Sequence, residues 1–349
     1  MSSSSLSSRS KEKSVYIRTS NGDNELEFYS FALNEDAALK TGLQGRGGSV
    51  LTPIKAADVP MFGGCAAVGK TIYCFGGHLS GRRQKIEYRG SFRPLDSVFS
   101  LNTRHLGGQS WKKRAPMRHA RTFYPTTVAF EGKIYVFGGL DNRARDPKQW
   151  AEVFDTKSGQ WAPLPPPPPP AKLPAAGTLF AVHVTSLNKI IVGSRKDEFL
   201  YAYGVNDGHW ERFDNLIIDP VPFDLKPVAV GTKLFWFHEG TLYLYDFITK
   251  LSGSCPVKDL DKVVPPVFLM SPYDYLGYPP LLHVAGNVFC FLCLECVPAK
   301  RYYLLHCIKF SISDFVYEGG EAVNLHAAVV SSEAYVIEET VRFIDAGLM

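Results

Sequence analysis

The densest grouping of metal-binding side chains in this sequence is Cys290, Cys293 and Cys296, followed by His306 and Cys307. Thiolates and imidazole form the donor set of a structural zinc site, where each thiolate sits about 2.3 Å from the ion. The surrounding residues oppose that chemistry. Val288 to Leu294 has strand composition and lacks the glycines of a metal-binding knuckle. In a strand, Cys293 faces opposite to Cys290 and Cys296, and at about 3.3 Å per residue the outer two stand roughly 20 Å apart. The spacing predicts ordinary buried thiols, with no metal and no cofactor. Other chemistries fare no better. The sequence contains no P-loop, dinucleotide fingerprint or nucleophile elbow, and its histidines (His78, His105, His119, His183, His209 and His238 among them) follow no shared spacing. No catalytic residue is assigned.

Charge is the second candidate for chemistry. The net charge is only +4, but from Arg82 to Arg121 eleven Lys or Arg face two acids, Glu87 and Asp96, a local balance of +9. Arg82, Arg83, Lys85, Arg89 and Arg93 follow Gly77; Arg118 and Arg121 come later; Arg143, Arg145 and Lys148 follow Gly139. Arginine dominates the set, and its planar fork suits carboxylate or phosphate recognition. These ten residues are the candidate partner-binding site, and a positive surface of this kind steers and holds an acidic partner. The competing reading is a set of solvated charged loops. Aromatic residues sit in strand-like runs instead of interleaving with the arginines, which argues against nucleic acid. No segment approaches the eighteen or so continuous apolar residues of a membrane helix.

The elements that would position these loops are short strands. Ile72-Tyr73-Cys74-Phe75-Gly76-Gly77 reappears as Ile134-Tyr135-Val136-Phe137-Gly138-Gly139. Each is followed by a second strand (Val98–Asn102; Ala151–Asp155), a turn, and a tryptophan (Trp111; Trp161). With 349 residues, 45% of them apolar, and 30 glycines and 24 prolines, the chain fits one large all-β domain of many strands and turns. Looser copies begin at Phe180, Lys226 and Leu281, and partial pieces remain at both ends: Val15–Arg18 and Leu26–Leu33, then Leu325–Val330 and Ala334–Glu338. The odd count of seven scattered cysteines and the absence of an apolar leader predict a reduced protein of the cytoplasm or nucleus. Residues 1–13 read as a disordered polar tail. The run Pro165–Pro170 reads as a stiff connection between repeats, with a ligand for a polyproline-binding domain as the other reading.

Over Met61 to Pro165 the strand, double glycine, strand, turn and tryptophan resemble the kelch repeat, whose unit is one four-stranded blade of a β-propeller. The resemblance implies a single kelch-type propeller over residues 14–349. Six blades are counted, or seven if the C-terminal strands form their own, and N- and C-terminal strands close the ring. It also implies that loops joining second to third strands, and those joining blades, emerge on one face. The repeated tryptophans would pack between blades, so Trp161→Ala is expected to cost far more stability than Trp150→Ala, Trp150 being placed in a loop. The expected function is a non-enzymatic protein-interaction module whose loop face takes a partner with an acidic segment. Many similar plant proteins carry an F-box before the propeller and serve as substrate receptors of ubiquitin ligases; here about fourteen residues precede the first strand, too few for that domain. The alternative is a metal-dependent kelch-type enzyme related to galactose oxidase or the nitrile-specifier proteins. The latter bind iron through Glu, Asp four later and His four after that, and no glutamate here has an aspartate at that distance. Oligomeric state is not encoded legibly.

Overall fold

The computed structural model describes residues 13–21, 25–33, 49–56, 58–78, 94–105, 110–121, 125–140, 149–168, 179–194, 197, 199–215, 226–264, 280–297, 302–318, 322–338 and 342–349. The chain opens with β1 (Lys13–Ser20), β2 (Leu26–Leu33) and β3 (Ile54–Lys55). A four-strand meander follows: β4 (Gly64–Val68), β5 (Thr71–Phe75), β6 (Val98–Asn102) and β7 (Lys112–Arg114). The next is β8 (Thr126–Phe130), β9 (Lys133–Phe137), β10 (Ala151–Asp155) and β11 (Gln160–Pro163), and the third is β12 (Leu179–Val184), β13 (Lys189–Ser194), β14 (Phe199–Gly204) and β15 (Trp210–Asn215). Then come β16 (Val228–Val230), β17 (Lys233–His238), β18 (Thr241–Asp246) and β19 (Ser252–Lys258), and after them β20 (Leu281–Ala285), β21 (Val288–Val297), β22 (Tyr302–Glu318) and β23 (Ala322–Ile337). The last strand is β24 (Arg342–Leu348), which pairs with β1 and completes a composite sheet in the order β24-β1-β2-β3.

Six blades result, and burial arranges them in a closed ring. Central strands such as Ile72–Phe75 and Leu234–Phe237 are buried on both faces because each blade is covered by two neighbours, so their sequences read as continuous apolar runs. Within β5 the faces still alternate: Ile72 and Cys74 join a core cluster shared with Tyr16 and Phe28 of the composite blade, while Tyr73 and Phe75 join Ile134 and Phe154 of the following blade. Four further clusters fill the remaining junctions, the last joining Val15 and Ile17 to Leu292 and Leu305. The first strands of successive blades lie side by side, with β24 against β4, and so form the innermost layer.

The closing strand differs from the expected one. Leu325–Val330 and Ala334–Glu338 do not pair with Leu26–Leu33; all but Glu338, which follows the strand's end, belong to one strand, β23, the outermost of the β20–β23 blade. That strand bends at Val330, where a register shift opposite Lys309 and Phe310 makes a bulge, and this explains why its sequence reads as two pieces. The end segment Arg342–Leu348 takes the closing role. The expected tail, residues 1–13, falls outside the described residues except for Lys13, which begins β1. In β21 the alternation holds: Cys293 faces the β16–β19 blade and Cys290 the composite blade.

Candidate functional site

The loop-bearing face is built on backbone pairing at the ends of the second strands. Gly76 and Gly77 have φ of +65° and +93°, which a side chain strains to adopt. A Cβ on Gly76 would lie 2.5 Å from the Arg121 carbonyl, and one on Gly77 would collide with the Met61 carbonyl. The close approach is used. Gly77 N donates to Arg121 O (2.7 Å), Arg121 N to Leu95 O (2.9 Å) and Leu95 N to Gly77 O (3.0 Å). Met61 and His78 exchange two bonds of 2.9 Å. Thus the connection from the composite blade, both roots of the loop after Gly77, and the connection to the β8–β11 blade meet at one place.

The Arg121 side chain continues the junction into the next blade. It is fully buried at 0% exposure, as is Glu152. Nε and Nη2 donate to Glu152 Oε1 (3.1 and 2.9 Å), Nη2 also to Gln149 O (3.0 Å), and Nη1 to Trp150 O (3.1 Å) and Gly138 O. All five N–H groups of the guanidinium are therefore used. The other carboxylate oxygen, Glu152 Oε2, accepts from Arg118 N (2.9 Å). Burial lowers the Arg121 pKa and the Glu152 charge opposes that shift; an arginine so paired stays charged.

Arg121 thus departs from its expected role. It does not present a cation to a partner; its charge is consumed within the protein, because an unpaired buried guanidinium would be prohibitively costly. What it does is root both basic loops. Its backbone holds the loop that carries Arg82, Arg83, Lys85, Arg89 and Arg93, and its guanidinium grips Gly138, Gln149 and Trp150, the two ends of the loop that carries Arg143, Arg145 and Lys148. Those eight side chains lie outside the described residues. Arg118 is exposed, three residues from the hub and on the same connection.

The tryptophans need one correction. Trp161 and Trp210 each donate Nε1 to a carbonyl of the preceding connection, Ala115 O (3.0 Å) and Pro165 O (2.9 Å), as the repeat requires. Trp161 is half-buried against Phe75 and Phe154. Trp150, expected in an exposed loop, is 5% exposed and sits between blades against Phe137 and Trp210. Pro165 continues from β11 and fixes Trp210; residues 169 and 170 lie outside the described residues.

A ring of six four-stranded blades with tight turns on one side and joined loop roots on the other is a β-propeller. The family model described as the kelch motif matches residues 121–168, beginning at the Arg121 hub. A putative F-box/kelch-repeat protein of Arabidopsis thaliana is 30% identical over 190 residues, covering 49% of this chain and 46% of that protein. An F-box/kelch-repeat protein of the same plant is 30% identical over 194 residues, covering 54% and 47%. A third, also a putative F-box/kelch-repeat protein, is 36% identical over 98 residues, 28% of each chain. The chain is a β-propeller that carries a kelch motif, and these matches support a kelch-repeat family protein. Its matches span about half the length of the first two relatives. Among the described residues no helix is long and apolar enough to cross a membrane.

Proposed function

We propose that this propeller is a non-enzymatic protein-interaction module that holds an acidic segment of a partner protein on its loop-bearing face. The observation that carries the reading is the shared root of the two basic loops on Arg121. On this reading the two loops anchored at one residue would bring Arg82, Arg83, Lys85, Arg89, Arg93, Arg143, Arg145 and Lys148 to one rim, and Arg118, exposed on the connection that carries the hub, would add to it. A concentrated positive rim raises association rates with acidic partners and makes them dependent on salt. The naming of the relatives as F-box/kelch-repeat proteins supports a role in substrate recognition alongside ubiquitin-ligase components, in the cytoplasm or nucleus.

Reversing Arg82 and Arg143 to glutamate tests the reading. Surface changes of this type usually alter stability by no more than about 0.5 kcal/mol, so the melting midpoint should stay near that of the native protein. The set of co-purifying proteins should shrink, and association with those that remain should slow and lose its salt dependence. An undiminished set of partners overturns the basic-rim assignment.

A further inference from the structure

Two of the seven cysteines stand directly opposite each other in the hairpin that faces the ring's closure. Cys65 of β4 is the register partner of Cys74 of β5. The hairpin turns through two residues, Gly69 and Lys70, between the paired Val68 and Thr71. Counting outward from that hydrogen-bonded pair, Cys65 and Cys74 occupy a non-hydrogen-bonded position, where Cα atoms approach to about 4.5 Å. That lies within the Cα separation a disulfide tolerates, about 4.4–6.8 Å. The two sulfurs are free thiols 3.8 Å apart.

The cluster that includes Cys290 and Cys307 provides a contrast. Those sulfurs are nearer, 3.3 Å apart, but the residues are diagonal: Cys290 is opposite Lys309, and Cys307 opposite Leu292. Diagonal neighbours on adjacent strands are separated by about 7–8 Å, at or beyond the limit for bridging without backbone movement. Proximity of sulfur alone does not distinguish the pairs; the backbone does.

Electrostatics separates them again. Arg18 of the composite blade is 2% exposed; its Nη1 donates to Gly63 O (2.8 Å), beside Cys65, and its Nη2 pairs with Asp345 Oδ2 at 3.5 Å. Its buried Nε–H has no hydrogen-bond partner among the described residues. Lys226 reaches Asp345 from the connection before β16, so two cations face one carboxylate around the thiols. Burial pushes the Cys65 thiol up, but the hydrogen bond with Cys74 and the Arg18 charge outweigh it and leave its pKa below the ordinary value. Cys74 is pushed up by burial and by Cys65. Cys290 is pushed up by its hydrogen bond with Cys307 and by burial. One pair therefore combines a backbone separation that a disulfide can span with a thiol whose pKa is held below the ordinary value.

We propose that Cys65 and Cys74 are a peroxide-oxidisable dithiol, a modification site distinct from the loop face. The Cys65 thiolate attacks one oxygen of hydrogen peroxide, the O–O bond breaks, and hydroxide leaves to be protonated to water. Cys65 is then a sulfenic acid. Cys74 sulfur, losing its proton, attacks Cys65 sulfur; the S–S bond forms as the S–O bond breaks and a second water departs. Two thiols lose two electrons and two protons, and one peroxide becomes two waters. Exposures of 4% and 3% leave no approach for a tripeptide disulfide, so the oxidant is small and uncharged.

Peptide mapping of the native, full-length chain tests this. Lys70 lies between Cys65 and Cys74, so trypsin separates them and a disulfide appears as two joined peptides; Lys300 and Arg301 do the same for Cys290 and Cys307. After graded hydrogen peroxide and alkylation, the joined Cys65 and Cys74 peptides should appear before any Cys290–Cys307 linkage, with the intact mass lower by two hydrogens. In Cys74→Ser the linkage should be lost and Cys65 trapped as a sulfenic acid by a dimedone probe. The proposal is overturned if Cys65 stays reduced while Cys296 is oxidised, or if the Cys290–Cys307 linkage forms as early. The comparison within the native protein decides the matter even if the variant fails to fold.

Discussion

Replacing Arg121 by methionine should be among the most damaging single changes in the chain. The substitution keeps an unbranched apolar stem but removes five donors at once. Glu152, at 0% exposure, would keep only the bond from Arg118 N (2.9 Å), and the carbonyls of Gly138, Gln149 and Trp150 would each lose a partner. Removing one member of a buried ion pair costs about 3–5 kcal/mol because the other charge is left uncompensated. The remaining bond to Glu152 relieves some of that and the stranded carbonyls add to it, so a loss of at least about 3 kcal/mol is expected. Urea denaturation of the purified protein reads the loss as a lower midpoint. Two controls define the cause. Arg118→Ala, on the exposed side chain three residues away, should stay within about 0.5 kcal/mol. Adding Glu152→Leu to Arg121→Met should recover part of the stability, since no charge is then stranded. A single-variant loss below about 1 kcal/mol, or a double variant no better than the single one, would refute the assignment of Arg121 as a paired internal hub.

Trp150→Ala should cost about 3–5 kcal/mol and exceed Trp161→Ala, because Trp150 is 5% exposed between blades while Trp161 is half-buried; thermal melts of the two variants check the order. Gly77→Ala should destabilise more than Gly159→Ala: both have positive φ, at a cost of about 1–3 kcal/mol, but only at Gly77 does the added carbon meet a carbonyl, whereas Gly159 has open space. A strong chelator should leave the melting midpoint unchanged, since β21 turns Cys293 away from Cys290; a clear fall would restore a structural metal to the Cys290, Cys293 and Cys296 segment.

The parts of the fold that could be read from the sequence are those where local chemistry and tertiary role agree. Double glycines at strand ends, Asn or Asp with Gly in turns, and tryptophan at a fixed distance each require particular residue types for local reasons, so the blades from β4 to β15 stand out. Arg121 fails as a surface residue because a charge count cannot tell a solvated cation from a buried one. The missed signal was its partner: Glu152 lies in Ala151-Glu152-Val153-Phe154, an acid inside an apolar strand, which demands a buried cation. Arg18 within Val15-Tyr16-Ile17-Arg18 and Asp345 within Phe343-Ile344-Asp345-Ala346 carry the same signature. Trp150 was misplaced because it ends a polar loop, although it lies one residue before β10. β19 went unread because Ser252, Gly253, Ser254 and Pro256 look like a loop; its pairing depends on β18 and β23, not on its own propensity.

The closure of the ring shows why the C-terminal pattern was the hardest to read. A propeller whose composite blade took its inner strand alone from the C-terminus would rest on the β1–β24 pairing and the pair of cations on Asp345. Here β23, sixteen residues long, adds a second fastening. Near its start Ala327 and Ala328 pair in parallel with Val257 and Lys258 of the preceding blade, and near its end Val336 exchanges bonds with Ser49 and Leu51 beside the composite blade (3.1 and 3.0 Å). One outer strand thus ties three successive blades at the rim. A strand with that task must be longer than a blade needs and must bend, and the bulge at Val330 supplies the bend. Its sequence therefore obeys the path between three blades instead of the repeat, and no comparison of one blade with another could have revealed it.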